Sequence, residues 1–491
     1  MNPYIILATV ILYVVAMILL AVRASRQADN NTFFLGNRTS KRWMVMLSMV
    51  GGAITGVTFV SVPGMVVTDG FSYMQMALGF MVGYVVIAYL LVPIFFRNNS
   101  VSIYEYLNRR FGRETYLVGA WFFFISKLLG ASVRLFIACF VLQTLVFNPL
   151  GVPFIINAAL TLMLALACTY RGGVKSVIVT DVLKTICLVA SILLCTTLVA
   201  KALDWNFGDM VTSVKESPMS RIFFFDDVNS RQYFFKQFFG GMFTVIAMTG
   251  LDQDMMQRSL ACRTKGEAQR NLLLSTLCQT IIIFILLLLG VVLYTFAKHT
   301  GIAIPAGTDN IFPAVATSTC MPLIVGVLFV VGLVASTYSA AGSAMTALTT
   351  SFTIDILGKA QAKPEELQRT RKVVHTSIAV SMFVLLYLLQ HLNNSSIINA
   401  VFTLASYTYG PILGIFAFGI FTPWNIRGRG LTVVAITAPL LCLVLQLNSE
   451  RWFGGYKFGY ELLLLNALFT VVGMLLLVSR KGTTCAKAED I

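Results

Sequence analysis

The chain has 491 residues, of which 57% are hydrophobic and only 12% charged, with a mean hydropathy of +0.81. Soluble domains carry about 25% charged residues, so a soluble globular protein is excluded and an integral membrane protein is indicated. The formal charge of +15 would suit nucleic acid, but no soluble basic domain is present to bind it.

Apolar runs of about 20 residues are long enough to cross a bilayer, and they predict an all-α protein of about thirteen transmembrane helices. The spans are 3–22, 43–66, 72–96, 116–147, 153–169, 176–200, 237–256, 271–297, 319–352, 373–390, 396–420, 431–446 and 458–479. The first has no basic residues ahead of it and is followed by Arg23 and Arg26. It therefore reads as a span with its amino terminus outside, not as a signal peptide. On that orientation 25 of the 36 Lys and Arg fall in inside loops and the tail, Arg258 among them, and eight fall outside. The excess charge is thus a positive-inside signature of a plasma or inner membrane protein. Three basic residues remain within spans: Lys127, Arg134 and Lys184.

Spans 2 and 7 differ from ordinary lipid-facing helices. Span 2 reads MLSMVGGAITGVTFVSVPG and span 7 reads FFGGMFTVIAMTGLDQ. Glycine and proline inside a span free backbone groups, which is tolerated where they line a cavity or bind an ion; close packing through small residues is the other reading. A pair of interrupted spans five apart is the pattern of an inverted-repeat transporter. Residues 43–200 (spans 2–6) then form the first repeat and 237–420 (spans 7–11) the second. Around them lie a leading helix (1–22), an extracellular loop (201–236), and two trailing helices with a cytoplasmic tail (431–491). The loop, amphipathic in SRIFFFDDVNSRQYFFKQFF, predicts a short surface helix, and 356–372 predicts a partly helical inside loop.

Span 4 carries Lys127 and Arg134 seven residues apart, on one helix face. Arg134 lies past its midpoint; it either pairs with a carbonyl or carboxylate or serves as a handle for an anionic solute. Asp181 in span 6 is an intramembrane carboxylate and by default a functional candidate, and Lys184 shares its face, so an ion pair between them is sterically available. Span 9 interleaves hydroxyls with small residues in GLVASTYSAAGSAMT, at Ser336, Thr337, Ser339, Ser343 and Thr346. The nine cysteines contain no CxxC pair and the three histidines are scattered, so neither a disulfide framework nor a metal cluster is expected. HExxH and GxSxG are absent, which argues against an enzyme. No ring of charge or carbonyl filter marks a channel, which stays a remote alternative.

FFLGNR (33–38), Pro63-Gly64, VSIYEYLNRRFG (101–112), RGGVKSVIVTD (171–181) and GLDQDMMQRSLACRTKGEAQR (250–270) occur in this order. Together they resemble the signature segments of the sodium/solute symporter family, whose members carry sugars, proline, sialic acid, monocarboxylates and vitamins. The resemblance implies a leucine-transporter-like five-plus-five inverted repeat and sodium-coupled import of a small organic solute by alternating access. It places one co-transported Na+ on the carbonyls of Gly51, Ile54 and Leu333 and the hydroxyls of Ser336 and Thr337, neutral oxygens that suit a hard cation. Family members with a second sodium hold it through an aspartate and further span 9 hydroxyls, here Asp181, Ser336 and Ser339. Many members have glutamine where this chain has Lys184, so its ammonium either neutralises Asp181 or replaces the second ion. The solute cavity implied between spans 2, 7, 3, 4, 8 and 11 offers Thr55, Thr58, Gln75, Arg134, Thr249 and Gln279, each equally readable as packing. A proton-coupled carrier using Asp181 and Lys184 on the same fold is the alternative. No organic cofactor and no obligatory protein partner are implied; the surroundings are solute and lipid.

Overall fold

The computed structural model describes residues 3–26, 28–97, 101–303, 310–392, 395–426, 430–456 and 458–478; the expected cytoplasmic tail beyond 478 lies outside them. Their architecture is helical, with one isolated bridge between Ile426 and Val478. Among them, eight helices are long and apolar enough to cross a membrane, and ten candidate spans result if each of two bent helix pairs is one. Three shorter apolar helices, Phe154–Thr169, Tyr407–Phe421 and Leu462–Leu476, coincide with predicted spans 5, 11 and 13.

The two bent pairs are predicted spans 2 and 7. Arg42–Ala53 and Gly56–Gly64 meet at 55°, and Phe234–Gly250 and Gln253–Leu260 at 66°. In the first, Ile54 and Thr55 leave helical geometry (φ −92°, ψ 105° and φ −95°, ψ 171°). In the second, a π-helical turn at Ile246–Gly250 gives way to Leu251 and Asp252, and the Asp252 carboxylate accepts from the Asp254 N–H at 2.8 Å to start the next helix.

The helix contacts come in pairs that a five-span shift interchanges. Gly173–Ala202 packs along Leu323–Thr350 (spans 6 and 9), and Ser395–Phe421 along Arg113–Leu142 (spans 11 and 4). Tyr73–Val86 packs along Phe234–Val245 (spans 3 and 7), and Lys265–Thr300 along both halves of span 2 (spans 8 and 2). The broken spans thereby lie between the others, where protein and not lipid meets their loosened backbone.

The loop at 201–236 contains the expected helix, at Phe207–Glu216, capped by Asn206 and Asp209. It does not lie on the aromatic stretch, which stays non-helical until Phe234. That stretch instead lies over the start of span 3: the Phe71 N–H donates to the Arg221 carbonyl at 2.9 Å, and Gln75 accepts from the Phe224 N–H at 3.2 Å and donates to the Gln232 carbonyl at 2.9 Å. The loop 356–372 is partly helical, with a short turn at Lys359–Gln361 and a helix beginning at Pro364.

Candidate functional site

At the break in span 2 the Thr55 hydroxyl accepts from the Thr58 N–H and the Thr58 hydroxyl from the Thr55 N–H, each at 3.4 Å, a reciprocal capping box. This exchange has a consequence four residues earlier. In a continuous helix those two N–H groups would bond to the carbonyls of Gly51 and Ile54. Diverted to hydroxyls, they leave these two carbonyls without their helical donors.

The middle of Leu323–Thr350 lies opposite. A methyl group on Gly56 would stand 2.8 Å from Ser336 Oγ and 3.5 Å from Leu333 Cδ1, so only glycine lets the second half of span 2 sit this close. Ser336 and Thr337 both donate to the Leu333 carbonyl, at 2.8 and 2.7 Å. Leu333, Ser336 and Thr337 are all buried, as is Ile54. Gly51 and Ile54 flank the break in span 2, and Gly56 just beyond it lies against Ser336 and Leu333 of span 9. Buried hydroxyls that share a carbonyl already engaged by the other have lone pairs left over, and a hard monovalent cation could use them.

Asp181 forms a second polar cluster. Its carboxylate accepts from Ser48 Oγ at 2.7 Å and from Ser339 Oγ. The cation paired with it is Arg258, at 3.4 Å, and not Lys184, for which no ion pair occurs among the described residues. The expected Asp181–Lys184 pair is therefore corrected. Arg258 comes from Gln253–Leu260 and is 2% exposed, which also corrects its placement in a cytoplasmic loop. A methyl on Gly52 would stand 1.7 Å from the Arg258 guanidinium; the absence of a side chain there is what admits it. Arg258 also pairs with Asp254 at 3.3 Å and bonds Ser343, whose hydroxyl in turn donates to Asp254.

Lys127, the other basic residue of span 4, is held inside the protein. It is buried between Asp252 at 3.0 Å and Asp254 at 2.8 Å, and the Tyr409 hydroxyl donates to Asp252 at 2.7 Å. A continuous chain of charges, Lys127–Asp252/Asp254–Arg258–Asp181, ties the second half of span 7 to spans 4, 6, 9 and 11. Sequence reasoning missed Ser48, Asp252, Asp254, Arg258, Ser343 and Tyr409 as parts of one cluster. The charges within GLDQDMMQR, straddling a glycine-marked break, were the available signal.

The remaining solute candidates do not converge. Thr55 and Thr58 cap a helix, and Gln75, 0% exposed, holds the 221–233 loop. Thr249 is buried in the π-helical turn ahead of the span 7 break. Arg134 is half-buried, with Tyr409 among its electrostatic neighbours. Gln279 Oε1 is buried without a hydrogen-bond partner among the described residues, and so is Thr276 Oγ1 one turn earlier on Lys265–Thr300, a residue the sequence did not single out.

Two helices broken at the middle of an otherwise helical membrane bundle, each with polar groups at its break, are the pattern of a multi-pass membrane transporter. Residues 33–428 match the sodium:solute symporter family, and the chain belongs to it. It is 25% identical over 419 residues to the sodium-coupled monocarboxylate transporter 2 of Danio rerio, covering 83% of this chain and 66% of that one. It is 23% identical over 450 residues to a sodium/sialic acid symporter of Proteus mirabilis (strain HI4320), covering 88% and 87%. With the sodium/iodide cotransporter of Homo sapiens it shares 25% over 417 residues, 82% of this chain and 63% of that one. The chain thus spans slightly less than two thirds of the animal relatives and most of the bacterial one. The outward-open, substrate-bound structure of a Na+-coupled sialic acid symporter superposes with a TM-score of 0.82 at 20% identity, covering 97% of this chain and 99% of that one. A nucleobase-cation-symport-1 family transporter gives 0.51 at 11% identity, covering 90% and 92%. The fold is therefore leucine-transporter-like.

Proposed function

We propose that the chain is a sodium-coupled secondary active symporter that imports a small organic anion by alternating access. One observation supports the sodium assignment: the Thr55–Thr58 capping box withdraws the helical donors from the Gly51 and Ile54 carbonyls, and Gly56 beside this break lies against Ser336, which with Thr337 donates to the Leu333 carbonyl. Five neutral oxygens at a helix break are a suitable sodium shell, and sodium bound there would tie span 9 to span 2. The contact pairs interchanged by a five-span shift support the division into repeats at 43–200 and 237–420, and with the three shorter apolar helices counted the topology is thirteen spans, amino terminus outside. The anionic character of the solute rests on similarity. The relatives are described as carriers of monocarboxylates, sialic acid and iodide, all negatively charged. Gln279 and Thr276, whose buried oxygens have no hydrogen-bond partner among the described residues, are the solute-binding side chains this reading favours, with Arg134 as the anion handle.

The test is uptake into proteoliposomes of radiolabelled lactate, pyruvate, nicotinate, sialic acid and iodide under an inward sodium gradient, with choline as control. Accumulation of at least one anion that requires sodium, and its loss in Thr337→Ala, is expected. Uptake driven equally by a proton gradient in choline would instead favour a proton-coupled carrier.

A further inference from the structure

Lys184 is a buried charge that the cluster around Asp181 does not pair directly. The residue is 1% exposed, and no ion pair includes it among the described residues. Its stem lies along the broken span: a methyl on Gly51 would stand 3.7 Å from Lys184 Cδ. Asp181 lies one turn earlier on the same helix face. The charges that act on it come from Asp181 on its own helix and from Arg258 and Asp254 on Gln253–Leu260.

The buried charges around it balance. The cations are Lys127, Lys184 and Arg258; the carboxylates are Asp181, Asp252 and Asp254, with Asp254 the most exposed at 12% of its side chain. An uncompensated charge in such surroundings is strongly unfavourable. A sodium ion added at Asp181 would leave this cluster with one positive charge in excess. With a neutral side chain at position 184 the cluster would have one negative charge in excess, and a single monovalent cation beside Asp181, Ser48 and Ser339 would restore the balance.

We propose that Lys184 is a built-in cation standing in for a second sodium ion at Asp181, so that this carrier moves one sodium per solute. The inference rests on the sodium-coupled reading above and names its stoichiometry. The lysine travels with the protein and is never released, so one cation fewer is exchanged with solution in each cycle. The driving force available from a given sodium gradient is correspondingly smaller.

The experiment counts sodium ions by equilibrium binding of radioactive sodium to the purified full-length protein, with choline holding ionic strength constant. Wild type, K184R, K184Q and K184M are compared with T337A/K184Q. The expected result is one ion in wild type and K184R, two in K184Q and K184M, and one in the double variant. Two ions in wild type, or one in both folded neutral variants, overturn the proposal; the wild-type count decides this even where a neutral variant does not fold. Zero ions in wild type would defeat the sodium-coupled reading itself. In that event one ion in K184Q would still support the built-in cation, and zero there would overturn it as well.

Discussion

In the proposed sodium site Thr58 has an indirect role. By accepting from the Thr55 N–H it withdraws the donor that would otherwise engage the Gly51 carbonyl. Removing a helix cap costs about 1 kcal/mol, and an energy of that size drawn from the binding equilibrium corresponds to roughly fivefold in affinity. Thr58→Val, which keeps the shape and deletes the hydroxyl, is expected to weaken sodium binding by about that factor while leaving solute selectivity unchanged. A sodium titration of thermal stability measures it; an unchanged midpoint would show that the capping box has no part in the site. Arg258 acts differently, because it is charged and buried. Taking one partner from a buried ion pair typically costs about 3–5 kcal/mol, and Arg258 serves two carboxylates. Arg258→Met should therefore lower the unfolding temperature markedly in any salt, and Asp181→Asn added to it should recover part of the loss. Full additivity of the two losses would contradict the pairing.

The broken spans also explain what could be read from the chain. The break in span 2 was legible because its glycines, Gly51, Gly52 and Gly56, interrupt an apolar run, and each admits a neighbour that a Cβ would displace. The hydroxyls of span 9 were legible because lipid gives them nothing to bond. The second half of span 7 was not. Gln253–Leu260 is polar, so hydropathy ends the span at 256, halfway along this helix, and assigns Arg258 to a loop. Yet Gln257 donates to the Phe34 carbonyl at 2.6 Å and to Thr350 at 2.8 Å, and Gln253 holds the Ile103 N–H at 3.0 Å and the Val101 carbonyl at 2.9 Å. A half-helix buried in protein satisfies its polar groups there, and a scale calibrated on lipid cannot see it. Lys127, Asp181 and Lys184 were each visible as intramembrane charges. The pairing of Lys127 and Asp181 was not, because helix spacing reports only neighbours on the same helix and their partners lie on another. At this scale Gly56→Val is the informative substitution. Its side chain must push the second half of span 2 away from Ser336, so sodium-dependent uptake should be abolished while the protein remains monodisperse. Retained coupling would mean that the two elements need not touch at that point.

Across the whole molecule, the proposed sodium and solute sites are joined through the packing of the bundle. Sodium is proposed between spans 2 and 9, and the unpartnered oxygens of Thr276 and Gln279 lie on span 8, which packs along both halves of span 2. Span 2 is thus common to both proposed sites. If sodium fixes the angle between its halves, it also fixes the wall that span 8 presents to the solute. Linkage makes the effect reciprocal: whatever factor sodium contributes to solute affinity, solute must contribute to sodium affinity. Such couplings are typically about 1–3 kcal/mol, or about 5- to 150-fold. Gln279→Ala should therefore weaken solute binding and leave sodium affinity in the absence of solute unchanged, while Thr337→Ala should weaken both. The measurement is a pair of stability titrations, sodium with and without a saturating anion identified by the uptake screen. A ligand at 100 times its Kd stabilises the folded state by about 2.7 kcal/mol, large enough to read either binding curve. Equal sodium affinities with and without the anion would leave no thermodynamic route by which one could drive the other across the membrane.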